Sequence, residues 1–492
     1  GFGADQLLVS AIAGAALRYP QSELDFVIAT AAPVPALPAR LLEAAHIVSC
    51  QPALRDATLL ARFIEHLAAE VRARRDALRR LHVRSVDDLR RSDPDWARRA
   101  PELADLVVVI DRVGELLDLK GELNRLVTEL IVAEGSLGLH LWMINPTPLT
   151  TVMFNSMPIN SILMDVITSR IALQTFSPKH SKTTVGIPDA AFISEPGVGF
   201  HKPDNLHAAE RFAVTPITAS ELDATADATA PQVGHHMFND ERTRPRWADA
   251  LPESISLTDT IVQWEAAGGS RNAASVPIGL LDNTGRHELS PFAVTFNEAL
   301  RALLIVGGNR EYLTAAAEAI VVAASATNDR EVLQFIYIGP ALNTVDDPLW
   351  SMPNVDIIDF NDLTKISTAM EKLKHRIDLP LDSGHIVLII DGWDRWQYLR
   401  WTANEAGAGL ILSPAEMVVE MARRGPASGV HVVITSATSY NTNLLEGVTD
   451  ERIELRMSQA YESKIDQAAA AVIPDDHRHG LTQHGRLLII DV

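Results

Sequence analysis

The chain has 492 residues, 47% apolar and 22% charged, with a formal net charge of −20 and a single cysteine, Cys50. That length holds two to four domains at roughly 100–200 residues each, and the acidic balance excludes bulk attraction to a phosphate backbone. A lone cysteine excludes an internal disulfide framework, and no apolar run reaches the ~18 residues of a membrane span or the pattern of a signal peptide. In chain order, Gly1-Phe2-Gly3 leads into an alanine- and leucine-rich helix, Gln6 to Tyr19. A strand follows at Asp25 to Ala29, and a long helix with one apolar and one charged face at Leu59 to Arg80. The run Leu106 to Ile110, ending in Asp111, is unbroken and β-branched, which suits a strand buried on both faces of a parallel sheet. A helix is predicted over Gly114 to Glu134, then strands at Gly138 to Ile144 and Arg170 to Leu173. Strands alternating with helices predict a doubly wound, mostly parallel α/β domain. The arginines Arg72, Arg74, Arg75, Arg79, Arg80, Arg84, Arg90 and Arg91 alternate with Val71, Leu78 and Leu81, the pattern of a solvated face of an amphipathic helix rather than a nucleic-acid patch.

Residues 203–275 are rich in Asp, Thr, Ala and Pro and read as a connector. Val276-Pro277-Ile278-Gly279 opens a second domain that repeats the programme. It has a strand at Ala302 to Val306, Gly307-Gly308, a helix at Tyr312 to Ala324, a strand at Val332 to Ile338, and the apolar run His385 to Ile390 ending in Asp391. Three blocks recur in the same order in both halves. Val107 to Leu117 matches Val387 to Gln397, Gly135 to Ile144 matches Pro426 to Thr435, and Ser169 to Pro188 matches Glu451 to Pro474. Ordered matches of this kind mark an internal duplication. The domains are therefore expected at 1–202 and 276–492, with 203–275 between them.

These blocks resemble the EccC motors of type VII (ESX) secretion, relatives of the FtsK and SpoIIIE translocases. GFGADQLLVSAIAGAAL (Gly1 to Leu17) stands at the family's Walker A loop and helix, and LADLVVVIDRVGELL (Leu103 to Leu117) at Walker B. GSLGLHLWMINPTP (Gly135 to Pro148) stands at the sensor strand. LPESISLTD (Leu251 to Asp259) with VPIGLLD (Val276 to Asp282) is similar to the connector and second-domain entry. IVLIIDGWDRW (Ile386 to Trp396) and ESKIDQAAAAVIPDDHRHGLT (Glu462 to Thr482) are similar to the second motor domain. The resemblance implies two tandem P-loop, RecA/FtsK-like domains, the first and second of such a motor. It also implies ATP and Mg²⁺ as weak ligands at most, with no firm cofactor, other motor domains or subunits and small helical secreted proteins as partners, and a place at the cytoplasmic face of the inner membrane. Contact with the membrane itself would come only through segments before residue 1. A Walker A loop needs a strand feeding into it, so the chain is expected to be a fragment or a truncated copy.

The chemistry of a phosphate loop needs glycines, a Lys for the β- and γ-phosphates and a hydroxyl for Mg²⁺. In the first loop, Gly1-Phe2-Gly3-Ala4-Asp5, Ala4 stands at the Lys and Asp5 at the hydroxyl. Two like unit charges a few ångströms apart repel by about 4 kcal/mol at an effective dielectric near 20. At Walker B, Asp111 is present for a weak Mg²⁺ site, but Arg112 replaces the water-activating Glu, and an Arg cannot serve as a base near neutral pH. Ile131 to Glu134 holds no arginine finger, and Asn145, at the sensor, is the residue left to orient a water. The second loop, Gly307-Gly308-Asn309-Arg310-Glu311-Tyr312, reads as shorter than a Walker A loop and without its Lys, with Arg310 the group that could touch a phosphate. Asp391 holds the second Walker B position, again a weak Mg²⁺ ligand, with Gly392 behind it. The plain alternatives are that Gly307-Gly308 is a strand-to-helix turn and that Asp111 and Asp391 cap the next element. His477-Arg478-His479 and His235-His236 read as exposed turns rather than metal sites.

The expected function is a pseudo-ATPase scaffold acting in assembly, regulation or substrate docking. Alternatives are a weakly nucleotide-binding or active ATPase completed by another domain or subunit, and an FtsK-type DNA translocase, which the acidic charge disfavours. Trp393, Trp396, Trp401 and Tyr398 are a candidate interface, or else core.

Overall fold

The computed structural model describes residues 3–44, 46–117, 121–132, 135–149, 153–154, 157–158, 167, 169–215, 217–229, 247–340, 352–379, 384–401 and 412–490. Contacts divide the chain into two units, Gly1–Asp249 with Thr284–His287 and Ala250–Asn283 with Glu288–Val492.

The first unit is built on strands β1 (Leu24–Thr30), β2 (Ile47–Gln51), β3 (Asp105–Asp111) and β4 (Leu139–Ile144), all parallel, in the order β2-β1-β3-β4. Helix α1 (Ala4–Arg18) packs with Leu8 and Ile12 on one face of the sheet, against Phe26, Ile28, Val107 and Val109. Helix α2 (Ala57–Arg80), capped by Asp56 accepting from the amides of Thr58 and Leu59, covers the other face with Phe63, Leu67 and Val71. Consecutive residues of β3 thus enter opposite cores, which is why its sequence has no polar alternation. The helix predicted over Gly114 to Glu134 is described as α3 (Val113–Leu117) and α4 (Gly121–Val132); Ala133 and Glu134 lie outside the described residues.

The expected strand near Arg170 forms as β5 (Arg170–Ala172), but not in the parallel sheet. It pairs antiparallel with β6 (Val198–Lys202), which pairs with β7 (Glu210–Ala213), making a separate three-stranded sheet over helix α5 (Pro178–Val185). Helix α6 (Ala219–Thr229) returns to the main body of this unit, where Leu222 joins the core of α1 and Arg40 reaches Asp223 and Asp227.

The second unit begins with α7 (Leu257–Ala266), whose Ile261 and Trp264 are buried. Next comes the hairpin of β8 (Ser275–Asn283) and β9 (Glu288–Thr295). Then follow β10 (Ala302–Val306), α8 (Arg310–Thr327), β11 (Leu333–Gly339), β12 (Val355–Asp359), α9 (Leu363–Ile377), β13 (His385–Asp391) and α10 (Trp393–Trp396). The unit closes with α11 (Pro414–Arg424), β14 (Val430–Ser436), β15 (Glu451–Glu454), β16 (His479–Thr482) and β17 (Gly485–Ile489). The sheet order is β9-β8-β17-β16-β15-β10-β14-β13-β11-β12, parallel from β15 through β12 and antiparallel beyond. Leu303 and Ile305 face the core under α8; Leu304 and Val306 face the core of α9, α10 and α11.

The duplication read from the sequence is visible in topology. The order β2-β1-β3-β4 repeats as β12-β11-β13-β14, each strand following its counterpart in the chain. Beyond β14 the second unit continues with β10, the strand that leads into Gly307, and β14 is buried at every position. Among the described residues no strand pairs with the corresponding edge of β4, and Trp142 there is 36% exposed. The matched segments Arg170–Ala172 and Glu451–Glu454 differ for this reason: the latter pairs along β10, which has no described equivalent in the first unit.

Candidate functional site

In open α/β sheets ligands bind outside the carboxyl ends of the strands, so the site of each unit is sought where β3 and β13 end. In the second unit the decisive feature is how the chain leaves β10. The Gly307 amide donates to Ser436 O (3.2 Å) and the Gly308 amide to Arg456 O (2.8 Å). Both amides therefore extend the strand ladder rather than cradling an anion. Glycine is required at 308 because a Cβ there would lie 2.7 Å from Ser458 N. Asn309 then caps α8, its side-chain oxygen accepting from the Glu311 amide (2.9 Å), and the helix starts at Arg310.

The loop between β10 and α8 is residues 307–309, as short as the sequence reading has it. A phosphate loop places its hydroxyl seven residues after its first glycine, and seven residues after Gly307 stands Thr314. The spacing from Gly307 to Thr314 is that of a phosphate loop, but residues 310–313 within it are wound into helix. Tyr312 stands at the second glycine and Leu313, 2% exposed in the core under α8, at the Lys. Burial of Leu313 and the Asn309 cap hold the extra turn in place.

Asp391 is 1% exposed and accepts from three hydroxyls. Its Oδ2 accepts from Thr314 Oγ1 and the Tyr337 hydroxyl, and its Oδ1 from Thr435 Oγ1, each at 2.7 Å. Behind it Gly392 has φ +116°, and a Cβ there would lie 2.7 Å from an Arg310 guanidinium nitrogen. Arg310 thus lies against the turn where a water-activating carboxylate would stand. Asp394, one turn on, accepts from the Ala437 amide (2.7 Å) and Ser436 Oγ (3.2 Å), tying this turn to the end of β14. Thr314, Tyr337 and Asp394 were not singled out in the sequence; the seven-residue spacing from Gly307 was the signal for the first.

In the first unit Gly1 and Phe2 lie outside the described residues. Gly3 is the left-handed N-cap of α1 (φ +92°), with Ala4 as its first residue and Asp5 exposed in its first turn, where its charge meets the positive end of the helix. Asp111 Oδ2 accepts from Thr30 Oγ1 (2.8 Å), a single hydroxyl where Asp391 has three. Arg112 sits at φ +55°, the left-handed position that Gly392 fills in the second unit. Arg112 and Arg55 both bind Glu115; burial works against ionisation there, but the two guanidinia hold the Glu115 carboxyl below its usual range. Asn145 braces the turn after β3. Its side-chain oxygen accepts from the Gly114 amide (3.1 Å) and its nitrogen donates to Thr147 O (2.7 Å), the same brace between turns that Asp394 supplies in the second unit.

The remaining candidates resolve as follows. Trp393 and Trp396 are fully buried, in contact with the core around Phe360, so they are not an interface; Tyr398 is exposed. Asp476 accepts from the amides of Arg478 and His479 and from the His479 ring, closing a turn, and no cluster of three metal-ligating side chains occurs among the described residues. His235 and His236 lie outside them. Within the basic run, Arg75, Arg79, Arg80, Arg90 and Arg91 are paired with Glu129, Asp76, Glu102, Asp105 and Asp88. Arg74 is a correction: it is buried, paired with Glu70 and donating to the carbonyls of Ala104, Leu137 and Gly138. Cys50 is no nucleophile, because burial first and the Asp249 charge second push its thiol up to about 11. No described helix is long and apolar enough to cross a membrane.

Comparison with known proteins agrees with this architecture. No family model matches the chain. A curated relative, the ESX secretion system protein EccC of Thermomonospora curvata, is 21% identical over 496 residues, covering 83% of this chain and 37% of the relative. Among solved structures, the cytoplasmic domain of the T. curvata type VII secretion ATPase EccC matches with a TM-score of 0.73 at 20% identity, over 99% of this chain and 59% of that one. ATPases 2 and 3 of EssC from Geobacillus thermodenitrificans match with a TM-score of 0.61 at 16% identity, over 100% of this chain and 90% of that one. ATPases 2 and 3 of T. curvata EccC, in complex with a signal sequence peptide, match with a TM-score of 0.52 at 15% identity, over 100% and 86%. The chain spans well under half the length of the curated relative. The resemblance read from the sequence is to the same EccC-type secretion ATPases, and the shared fold is a mixed α/β pair of P-loop-type domains with parallel sheets.

Proposed function

We propose that this chain is part of a type VII secretion motor in which two P-loop-type domains, centred on 1–202 and 276–492 with the segment 203–275 shared between the two units, assemble with neighbouring motor domains and dock export substrates without hydrolysing ATP at either visible site. The observation that carries this reading is the first turn of α8. Its residues fill the loop that would arch over phosphates, the amides of Gly307 and Gly308 are spent on carbonyls, and Asp391 accepts from three hydroxyls. A buried carboxylate with three of its four lone-pair sites committed to hydroxyls is a poor ligand for a hydrated Mg²⁺. In the first unit, Asp5 occupies the helix end that an anion would need, and no base follows Asp111. A P-loop domain keeps its surfaces after its chemistry is lost, and the signal-peptide complex of the T. curvata relative supports substrate docking as the use of those surfaces. In such a motor these units belong at the cytoplasmic face of the membrane. The test is turnover of Mg·ATP by the purified chain beside Asp391→Asn and Asp111→Asn variants. Phosphate release equal in all three supports the proposal; release by the parent that either variant abolishes overturns it.

A further inference from the structure

Two short turns follow the carboxyl ends of β14 and β15, the strands that flank β10 in parallel. The first, Tyr440–Leu445, leaves Tyr440 61% and Leu444 53% exposed; the second, Ala460–Glu462, leaves Tyr461 62% exposed. Rings this exposed add little to the core, yet the turns that carry them are fixed from below. Arg452 and Glu454, both on β15, form a largely buried ion pair, Nε donating to Oε1 at 2.6 Å. Arg452 also donates to Ser439 Oγ (2.6 Å), just before the first turn. Glu454 accepts from Ser463 Oγ (2.5 Å) and the Lys464 amide (3.0 Å), just after the second. One ion pair thus braces both turns. The two phenols meet at the surface: desolvation first, then Tyr461 and the Glu462 carboxylate, raise the Tyr440 phenol above its ordinary value. The ammonium of Lys464, two residues on from Glu462, is held by Glu446 (2.8 Å).

These groups select a partner. Tyrosine brings a large ring and a polar tip with only two side-chain torsions to fix, and holding two of them on braced turns lowers the ordering cost of binding. Leu444 offers apolar contact. The ring faces and the Glu462 carboxylate favour a cation, and a chain of net charge −20 repels an acidic segment. We propose that Tyr440 and Tyr461, flanked by Leu444 and Glu462, dock a protein segment that presents a lysine or arginine beside an apolar side chain. This names a surface for the docking proposed above and rests on that reading for a protein as the partner. Mg·ATP turnover at Asp391 would overturn the loss of hydrolysis and leave this surface as it is.

The experiment is fluorescence anisotropy with the full chain and three labelled twelve-residue peptides: alternating Leu-Leu and Lys-Lys pairs, the same with Glu for Lys, and the same with Ser for Leu. The expected result is saturable binding of the Leu/Lys peptide alone, weakened at least tenfold in Tyr440→Ala/Tyr461→Ala and at least twofold in Glu462→Gln. Circular dichroism confirms that each variant is folded, and Tyr440→Ala by itself, with at least a threefold loss, serves if the double variant does not fold. No saturable binding of the Leu/Lys peptide overturns the proposal, as does binding indifferent to the tyrosine substitutions. Equal binding of the Ser/Lys peptide reduces the effect to the charge of an acidic chain, and equal binding of the Leu/Glu peptide removes the preference for a cation; either result also overturns it.

Discussion

Substituting Leu313→Lys separates a phosphate loop that merely lacks its lysine from one that is wound shut. Leu313 stands at the lysine position by spacing, yet it is 2% exposed and packed in the core beneath α8. Removing a fully buried leucine forfeits about 1.5–3 kcal/mol of burial, and an ammonium with no partner in that core adds several kcal/mol more. Partial escape of the lysine stem to the surface lowers the sum, leaving an expected loss of about 3–5 kcal/mol for the variant, against about 2–5 for Leu313→Ala as a measure of the cavity alone. Urea denaturation followed by circular dichroism gives the stability, and a fluorescent ATP analogue gives binding. The expected outcome is a large loss of stability with no gain of nucleotide affinity. A Leu313→Lys protein as stable as the parent that now binds ATP would refute the argument, because the loop would then be open and missing only its charge.

Other consequences are smaller in scale. Thr314→Val removes one of three bonds to a buried carboxylate and should cost about 1.5–3 kcal/mol in the same urea assay, without altering any response to nucleotide. At position 112, Gly should exceed Ala in stability by about 1 kcal/mol, since both lose the ion pair with Glu115 and only Gly relieves φ +55°; equal midpoints for the two variants would contradict this. The fully buried His431 donates Nδ1–H to Leu300 O, so its Nε2 must accept from His385 Nδ1–H. Burial, partly offset by the Leu300 bond and reinforced by His385, pushes its pKa down from 6.5 to about 4. A depressed folded-state value favours the neutral ring, so the stability it contributes is complete above pH ~6.5 and is lost as pH falls through ~4, about 3 kcal/mol in all at 1.36 kcal/mol per unit. His431→Gln should flatten that part of the urea-midpoint profile, and an unchanged slope between pH 7 and 4 would count against the assignment. Because most arginines of the basic run are held by carboxylates, the chain should not retard duplex DNA even at low salt.

Much of the fold was legible because buried parallel strands leave a strong trace. Leu106 to Ile110 and His385 to Ile390 face cores on both sides and carry no polar alternation. Two of the strands that escaped notice carry polar interruptions: Ile47–Gln51 contains Ser49 and Gln51, and the edge strand Val355–Asp359 has an aspartate at each end of its Ile-Ile pair. The order of the sheet, and the placing of Arg170–Ala172 outside it, depend on pairing between distant segments, which periodicity does not encode. At the site, substitution could be read but conformation could not. Sequence shows which residues stand at positions 4 and 313; only the structure shows that Asn309 caps a helix beginning at Arg310 and that Thr314 donates to Asp391. Asn145 adds a contact that its residue type did not announce: its side chain bridges Gly114 and Thr147.

The central claim is that neither visible site holds nucleotide, and calorimetric titration of the purified chain with ATP, with and without Mg²⁺, tests it most directly. The account predicts no saturable heat at millimolar nucleotide under either condition. Saturable, Mg²⁺-dependent binding that Asp391→Asn or Asp111→Asn abolishes would contradict it, for it would mean that the hydroxyls around Asp391, or the single one at Asp111, give way to a metal.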